Sequence, residues 1–296
     1  MSTFLQQLFN GLTIGSIYGF IALGYTMVYG TLKLINFAHG DMVTLAAFLA
    51  ITLSPLAVSY GTLGVLLVML IVITLTCGVA ILLEYFAYRP LRAAPRLSLI
   101  VSALGAGLII QNAVMLIWGA NVKVFPELFP NGMISIAGAS ITYLGLFILI
   151  LNALIMFALS MFINKTRMGI AIRALSIDYG TAELMGVNIN RTIAIVFALG
   201  GALGAVGGIL IGASYTSVSF AMGFDYGIKA FVAAILGGIG SIAGAMLGGL
   251  ILGLIYAFSA GYISSIWADT FTYLILIALI IFKPNGLFGQ AAVQKV

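Results

Sequence analysis

Charge is what this sequence has least of: 6% of its 296 residues are charged, where a soluble domain carries roughly 25%. A surface so poor in charge cannot face water on every side, and an apolar share of 63% says the same. A soluble enzyme, a disordered tail and a nucleic-acid reader are excluded. Cysteine occurs once, at Cys77, which rules out an internal disulfide and a thiolate metal cluster. Histidine also occurs once, at His39, and one imidazole builds no zinc site without further ligands. No Gly-x-x-x-x-Gly-Lys-Ser/Thr pattern precedes any lysine, so a Walker-type nucleotide site is absent. No catalytic residue, metal or cofactor is therefore expected of this chain. Proline is scarce too, and Pro55, Pro90, Pro95, Pro126, Pro130 and Pro284 are expected at or between helices rather than deep inside them.

What is present is a series of long apolar runs. A bilayer core takes roughly 20 apolar residues per helix. The gaps between charges predict spans near 6–30, 42–59, 63–87, 98–118, 143–163, 192–213, 242–259 and 266–282, with a short segment near 228–238 that either crosses or re-enters. The fold class is all-α: a polytopic membrane helix bundle of about 8–9 transmembrane helices with short broken or re-entrant segments. Lysine and arginine collect in two loops, one holding Arg89, Arg92 and Arg96, the other Lys165, Arg167, Arg173 and Arg191. Both loops should be cytoplasmic. Counting back places the N-terminus outside, which agrees with the absence of basic residues before the first span and argues against a cleaved secretory signal. Counting forward places the C-terminus inside if 228–238 crosses.

Glycine is abundant, at 36 residues. Gly11, Gly15 and Gly19, then Gly200, Gly204, Gly208 and Gly212, then Gly240, Gly244 and Gly248 recur every fourth position. That spacing stacks them on one helical stripe and lets another backbone approach. The stripes are expected to pack helices, and one of them could also border a path or a subunit interface. Ionisable groups that would carry a proton relay are missing from the span interiors, because Asp41, Glu84, Asp225 and Asp269 all fall near span ends. Glu84 is expected to pair with Arg89.

Three polar stretches interrupt this pattern. Ile35-Asn36-Phe37-Ala38-His39-Gly40-Asp41 lies between two apolar runs and is either a turn in which Asp41 caps the next helix or a broken helix lining a polar cavity. Leu236-Gly237-Gly238-Ile239-Gly240-Ser241 is a second interruption, and paired breaks are the best sequence pointer to a transport path. Asn36, His39, Asp41, Gly237, Gly238 and Ser241 are the candidate path residues. The cytoplasmic loop 164–191 carries a helix start at Asp178 and a stop at Gly186. Tyr179, Ala182, Leu184 and Met185, around Glu183, are too apolar for a solvated linker. This short helix either rests on lipid headgroups or inserts into a groove on a partner protein.

At these residues the chain resembles the permeases of branched-chain amino acid ABC importers, Liv type, H-type subunit. The likeness rests on Ala22-Leu23-Gly24-Tyr25-Thr26-Met27-Val28-Tyr29-Gly30, on 35–41, on Thr166-Arg167-Met168-Gly169, on Ala182-Glu183-Leu184-Met185-Gly186-Val187-Asn188, on 229–241, and on Lys283-Pro284-Asn285-Gly286-Leu287-Phe288-Gly289. It covers nearly the whole chain. It implies one transmembrane permease domain over 1–296 in a bacterial inner membrane, paired with a sister permease as a heterodimer. Two cytoplasmic ATP-binding subunits and a periplasmic binding protein complete such importers. The resemblance makes 164–191 a coupling loop that docks on an ATPase, although Thr181-Ala182-Glu183 matches the family's EAA-like pattern only approximately. Implied substrates are leucine, isoleucine and valine, with relatives moving other amino acids, amides or urea. A stand-alone secondary transporter, the rival of another class, would need a coupling carboxylate inside a span and no docking loop.

Topology is open to a direct test. Single cysteines at Ala94 and Asn131 in a Cys77→Ala background should react with impermeant thiol reagents from the cytoplasmic and the outer side respectively. Labelling of both from one side would contradict the assignment.

Overall fold

A computed structural model describes residues 2–283 and 286–288. Pro284, Asn285, Gly289 and the C-terminus, and with them the expected cytoplasmic end, lie outside the described residues. The order of elements is α1 (Ser2–Leu32), α2 (His39–Leu83), a π turn (Glu84–Tyr88), a 3₁₀ turn (Arg89–Leu91), α3 (Arg96–Trp118), β1 (Lys123–Val124), β2 (Met133–Ile136), β3 (Ala139–Thr142), α4 (Tyr143–Lys165), α5 (Arg167–Ile177), α6 (Tyr179–Leu184), α7 (Ile189–Tyr215), β4 (Ser217–Val218), α8 (Met222–Gly237), α9 (Ile242–Tyr262) and α10 (Ala268–Phe282). Among the described residues, α1, α2 with the turns that follow it, α3, α4, α7 and α9 are long and apolar enough to cross a membrane. The chain is a polytopic helical membrane protein. The contacts gather into two compact units, one made of Met1–Thr26, Asn131–Ser160 and Lys229–Val296, the other of Met27–Pro130 and Met161–Ile228.

Helix α2 contains two of the expected spans. A straight helix of its 45 residues would run about 68 Å, against a hydrocarbon core of about 30 Å. It breaks at Gly61, whose φ of 55° and ψ of −133° no side-chain-bearing residue adopts readily. The chain folds back there: a methyl group on Gly64 would lie 2.1 Å from the Leu56 carbonyl oxygen, whereas eight residues of straight helix would separate them by about 12 Å. Pro55, expected at a segment end, lies inside the first half. Proline cannot donate to the carbonyl one turn back. The Ser54 hydroxyl donates to that Ile51 oxygen instead, at 2.7 Å, so no carbonyl is left bare toward lipid.

In the first unit, α1 and α9 meet through glycine. A methyl on Gly253 would lie 2.2 Å from the Gly15 nitrogen, and one on Gly249 would lie 2.5 Å from the Gly19 nitrogen. The Gly11–Gly15–Gly19 stripe is thus a packing surface. Its partner is a glycine pair on α9 other than the expected stripe, for Gly244 and Gly248 face α8 at Gly237 and Ala233. Lys229 on α8 and Asp269 on α10 form an ion pair at 2.8 Å. A β2–β3 hairpin, unforeseen in an all-helical reading, turns at Ala137 and Gly138 with φ of 52° and 82°. The Gln6 amide clamps it, donating to the Ser140 oxygen at 3.0 Å and accepting from the Ser140 nitrogen at 2.8 Å.

In the second unit, α7 is the enclosed element, and Gly204, Gly208 and Gly212 of its expected stripe are occupied, as is Gly201 beside it. Gly201 faces Thr76 and Ala80 in the second half of α2, while Gly204 and Gly208 face His39 and Val43 in the first half. Gly212 sits on the Phe125 ring, next to the short β1–β4 ladder.

Two glycine substitutions should separate conformation from packing, since neither site has a neighbour within 4 Å. Gly61→Ala is expected to destabilise the protein by about 1–3 kcal/mol. Gly105→Ala, inside α3, should stabilise it by about 0.5–1 kcal/mol. Chemical unfolding of the purified protein in detergent measures both; equal effects would contradict the assignment of the break.

Candidate functional site

The break between α1 and α2 holds three of the candidate path residues, and the structure brings them together in the second unit. Helix α1 stops at Leu32, Lys33 takes a left-handed φ of 55°, and the chain stays irregular until His39. Asn36 and His39 are each 1% exposed. The Asn36 Oδ1 accepts from the Tyr88 hydroxyl at 3.1 Å, and the Tyr88 ring stands edge-on to Phe197 of α7 at 4.9 Å. The Asn36 amide nitrogen is buried with no acceptor among the described residues. The His39 ring packs against Gly204, where a methyl group would lie 3.2 Å from Cε1.

Asp41 does not cap the helix that follows. Helix α2 starts three residues earlier than expected, with Ala38 at the cap and Asp41 inside the first turn. A carboxylate there still faces the positive end of the helix dipole. Its Oδ2 would be 2.5 Å from a methyl on Gly107, so α3 passes close to it only because that position is glycine. Thr44, one turn further along α2, is fully buried with its hydroxyl unpartnered among the described residues. Tyr88, Thr44 and Gly107 were not anticipated, because each lies in an apolar run and is joined to the break only by folding.

The second break lies in the other unit. Helix α8 ends at Gly237, Gly238 and Gly240 take φ of 100° and 99°, and Ser241 caps α9 by accepting from the Gly244 nitrogen at 3.1 Å. A methyl on Gly237 would lie 1.8 Å from the Gly244 oxygen. The open carbonyls of Leu236 and Gly237 accept from the Leu287 and Phe288 nitrogens at 2.9 and 3.1 Å. The Gly286-Leu287-Phe288 motif is therefore the cap of α8. No sequence signal joins residues fifty apart in this way.

The loop 164–191 is ordered throughout by caps. The Thr166 hydroxyl accepts from the Gly169 nitrogen at the start of α5. Asp178 ends α5 and begins α6, its Oδ1 accepting from the Thr181 nitrogen at 2.6 Å. Gly186 takes φ of 82°, the Gly186 nitrogen bonds the Glu183 oxygen and the Val187 nitrogen bonds the Ala182 oxygen, a Schellman stop. The helix presents two faces. Ala182 is buried and Tyr179 half-buried, with the Tyr179 hydroxyl donating to the Thr31 oxygen at 3.1 Å. Burial pushes the Tyr179 phenol up, opposed by the nearby Arg92. Glu183 is exposed, as are Leu184 and Met185 at 89% and 80% and Ile177 at 82%.

Glu84 does not pair with Arg89. Five residues on, Arg89 stands about 140° around the helix, and its guanidinium lies over the Tyr85 ring at 5.4 Å. Arg92, brought back by the 3₁₀ turn, pairs with the buried Glu84 and donates to Asn190 Oδ1 at 2.7 Å. This fastens the π turn to the start of α7. Among the described residues, no three of His, Cys, Asp and Glu converge.

Residues 7–282 match the family described as "Branched-chain amino acid transport system / permease component". BraD of Pseudomonas aeruginosa, a high-affinity branched-chain amino acid transport system permease protein, is 43% identical across 99% of this chain and 98% of its own length. LivH of Salmonella typhimurium, named likewise, is 41% identical with the same coverage. A probable branched-chain amino acid transport permease of Methanocaldococcus jannaschii is 29% identical across 91% of this chain and 87% of its own length. No solved structure matches the chain.

The Tyr88 hydrogen bond to Asn36 is testable by stability. Tyr88→Phe should cost about 1–3 kcal/mol, because it leaves a buried carbonyl oxygen without that donor. Tyr85→Phe, at a half-exposed ring, should cost little. Chemical unfolding compares the two.

Proposed function

This chain belongs to the family of branched-chain amino acid transport system permease components, and from that premise we propose that it is one of two transmembrane subunits of an ATP-driven importer for leucine, isoleucine and valine. The observation that carries the substrate class is the full-length identity above 40% with permeases named for that transport. The permease does no covalent chemistry. A sister permease completes the path as a heterodimer, two cytoplasmic ATPases supply the energy, and a periplasmic binding protein selects and delivers the substrate. The N-terminus is outside and the C-terminus inside a bacterial inner membrane. The chain acts as one permease domain, 1–296, with its coupling loop at 164–191.

The path is bordered by Asn36, His39 and Asp41 at the first break. Polar groups in so apolar a chain need partners or water, and the buried Asn36 amide nitrogen still has a bond to give. Gly237, Gly238 and Ser241 border it at the second break, where short side chains leave the backbone as the wall. A largely uncharged wall suits a zwitterion with an apolar side chain.

Coupling runs through α6. Ile177, Leu184 and Met185 are exposed on the side expected to be cytoplasmic, and water does not favour leaving them so. Seated in an ATPase cleft they would be covered, with Glu183 placed to meet a basic residue there. Asp178 and Gly186 fix the two ends of the helix, and Tyr179 and Ala182 hold it to its own subunit.

In the purified complex, Glu183→Lys should weaken ATPase co-purification and uncouple leucine uptake from ATP hydrolysis while the spans keep their packing. Gly186→Val should act likewise, by penalising the left-handed backbone. His39→Leu should leave co-purification intact and lower uptake. Wild-type co-purification and coupling in both loop variants would show the loop to be a solvated linker.

A further inference from the structure

We propose that the Tyr179 hydroxyl is the link through which displacement of α6 reaches the break between α1 and α2, an inference that rests on α6 being the helix that docks on an ATPase. Tyr179 is thereby a positioning residue, acting on the path through a backbone carbonyl.

The last turn of a helix leaves carbonyls without intrahelical partners. At the end of α1, the Tyr29 oxygen accepts from the Lys33 nitrogen at 2.8 Å, which closes the turn. The Thr31 oxygen accepts from Tyr179, whose hydroxyl is separated from it by 148 residues of chain. Thr31 itself is 1% exposed and spends its own hydroxyl on the Met27 oxygen. The Tyr179 bond is therefore a cap on α1 supplied by the cytoplasmic loop. Because burial raises its pKa, the phenol keeps its proton and remains a donor at neutral pH.

The irregular stretch that follows is held at its other end by a different tyrosine. Asn36 accepts from Tyr88, and Tyr88 belongs to the π turn that the Glu84–Arg92 pair and the Arg92–Asn190 bond fasten to α7. Two hydroxyls thus grip the chain five residues apart, one from the π turn fastened to α7 and one from α6, which turns its other face outward. Residues 33–35 between these grips form no helix or strand that would resist a change in their span. When α6 shifts, Thr31 is drawn with it while Asn36 stays on Tyr88, and the break that carries Asn36 and His39 changes its opening.

The test uses the purified complex of both permeases, the ATPases and the binding protein. Tyr179→Phe keeps the ring and removes the bond. Leucine imported per ATP hydrolysed should fall roughly fivefold, the scale of one lost hydrogen bond, with the ATPases still co-purifying. A fluorophore on Lys33→Cys in a Cys77→Ala background reports the break directly. Its response to ATP should be present in the parent and lost with Tyr179→Phe. Either readout left at its parental value overturns the proposal, as does an absent response in the parent. Loss of ATPase co-purification in Tyr179→Phe also overturns it, since the hydroxyl would then serve docking. Failure of the docking reading itself shows separately, as undiminished co-purification of the ATPases with Glu183→Lys.

Discussion

Between helices in a bilayer the usual apolar drive is nearly absent, because lipid tails solvate a leucine about as well as another helix does. Association then depends on van der Waals contact, and contact depends on how closely two backbones approach. Both compact units of this chain meet that requirement with glycine. In one, Gly15 and Gly19 of α1 and Gly249 and Gly253 of α9 bring the two backbones into direct contact. In the other, Gly201, Gly204, Gly208 and Gly212 let α7 take the two halves of α2 and the Phe125 ring in succession. The glycine content that looks wasteful by helix propensity is what allows these helices to touch at all.

A second requirement follows from the same solvent. Backbone groups at lipid depth must be satisfied inside the protein, and several helix interruptions here are answered by a specific donor or acceptor. Ser54 replaces the bond that Pro55 cannot make, and Ser241 caps α9. Leu287 and Phe288 close the end of α8, and Tyr179 closes the end of α1. At these points the freed backbone groups are accounted for. The Asn36 amide nitrogen and the Thr44 hydroxyl stand out as buried groups with capacity left over.

Outside the spans the economy reverses. In the 164–191 loop the backbone is ordered by side-chain caps from Thr166, Asp178 and Asn188, each within three residues of the amide it serves. This rigidity costs no tertiary contact, so α6 can expose Leu184 and Met185 and still hold its shape. A permanently formed helix with an uncovered apolar edge lowers the entropy a partner must overcome on docking. Its inner face, through Ala182 and Tyr179, ties the same helix to its own chain.

Composition and local spacing determined a good deal: a helical membrane chain, a break overlapping the irregular residues 33–38, the hairpin of spans within 39–91, and the start and stop of α6 at Asp178 and Gly186. These were legible because caps, left-handed glycines and apolar run length depend on residues within a turn or two of one another. The β2–β3 hairpin escaped notice, since Ala137 in a left-handed conformation has no signature. So did the start of α2 at His39 and the choice of Arg92 over Arg89 by Glu84, both decided by packing and by the π and 3₁₀ turns. The glycine stripes were visible, but which helix each one faces was not, for a stripe states only that something comes close. Only the tertiary structure decided that Tyr88 reaches Asn36 across 52 residues and Tyr179 reaches Thr31 across 148. Nothing in a local pattern specifies such a pair, because a tyrosine hydroxyl takes whichever acceptor the folded backbone delivers to it.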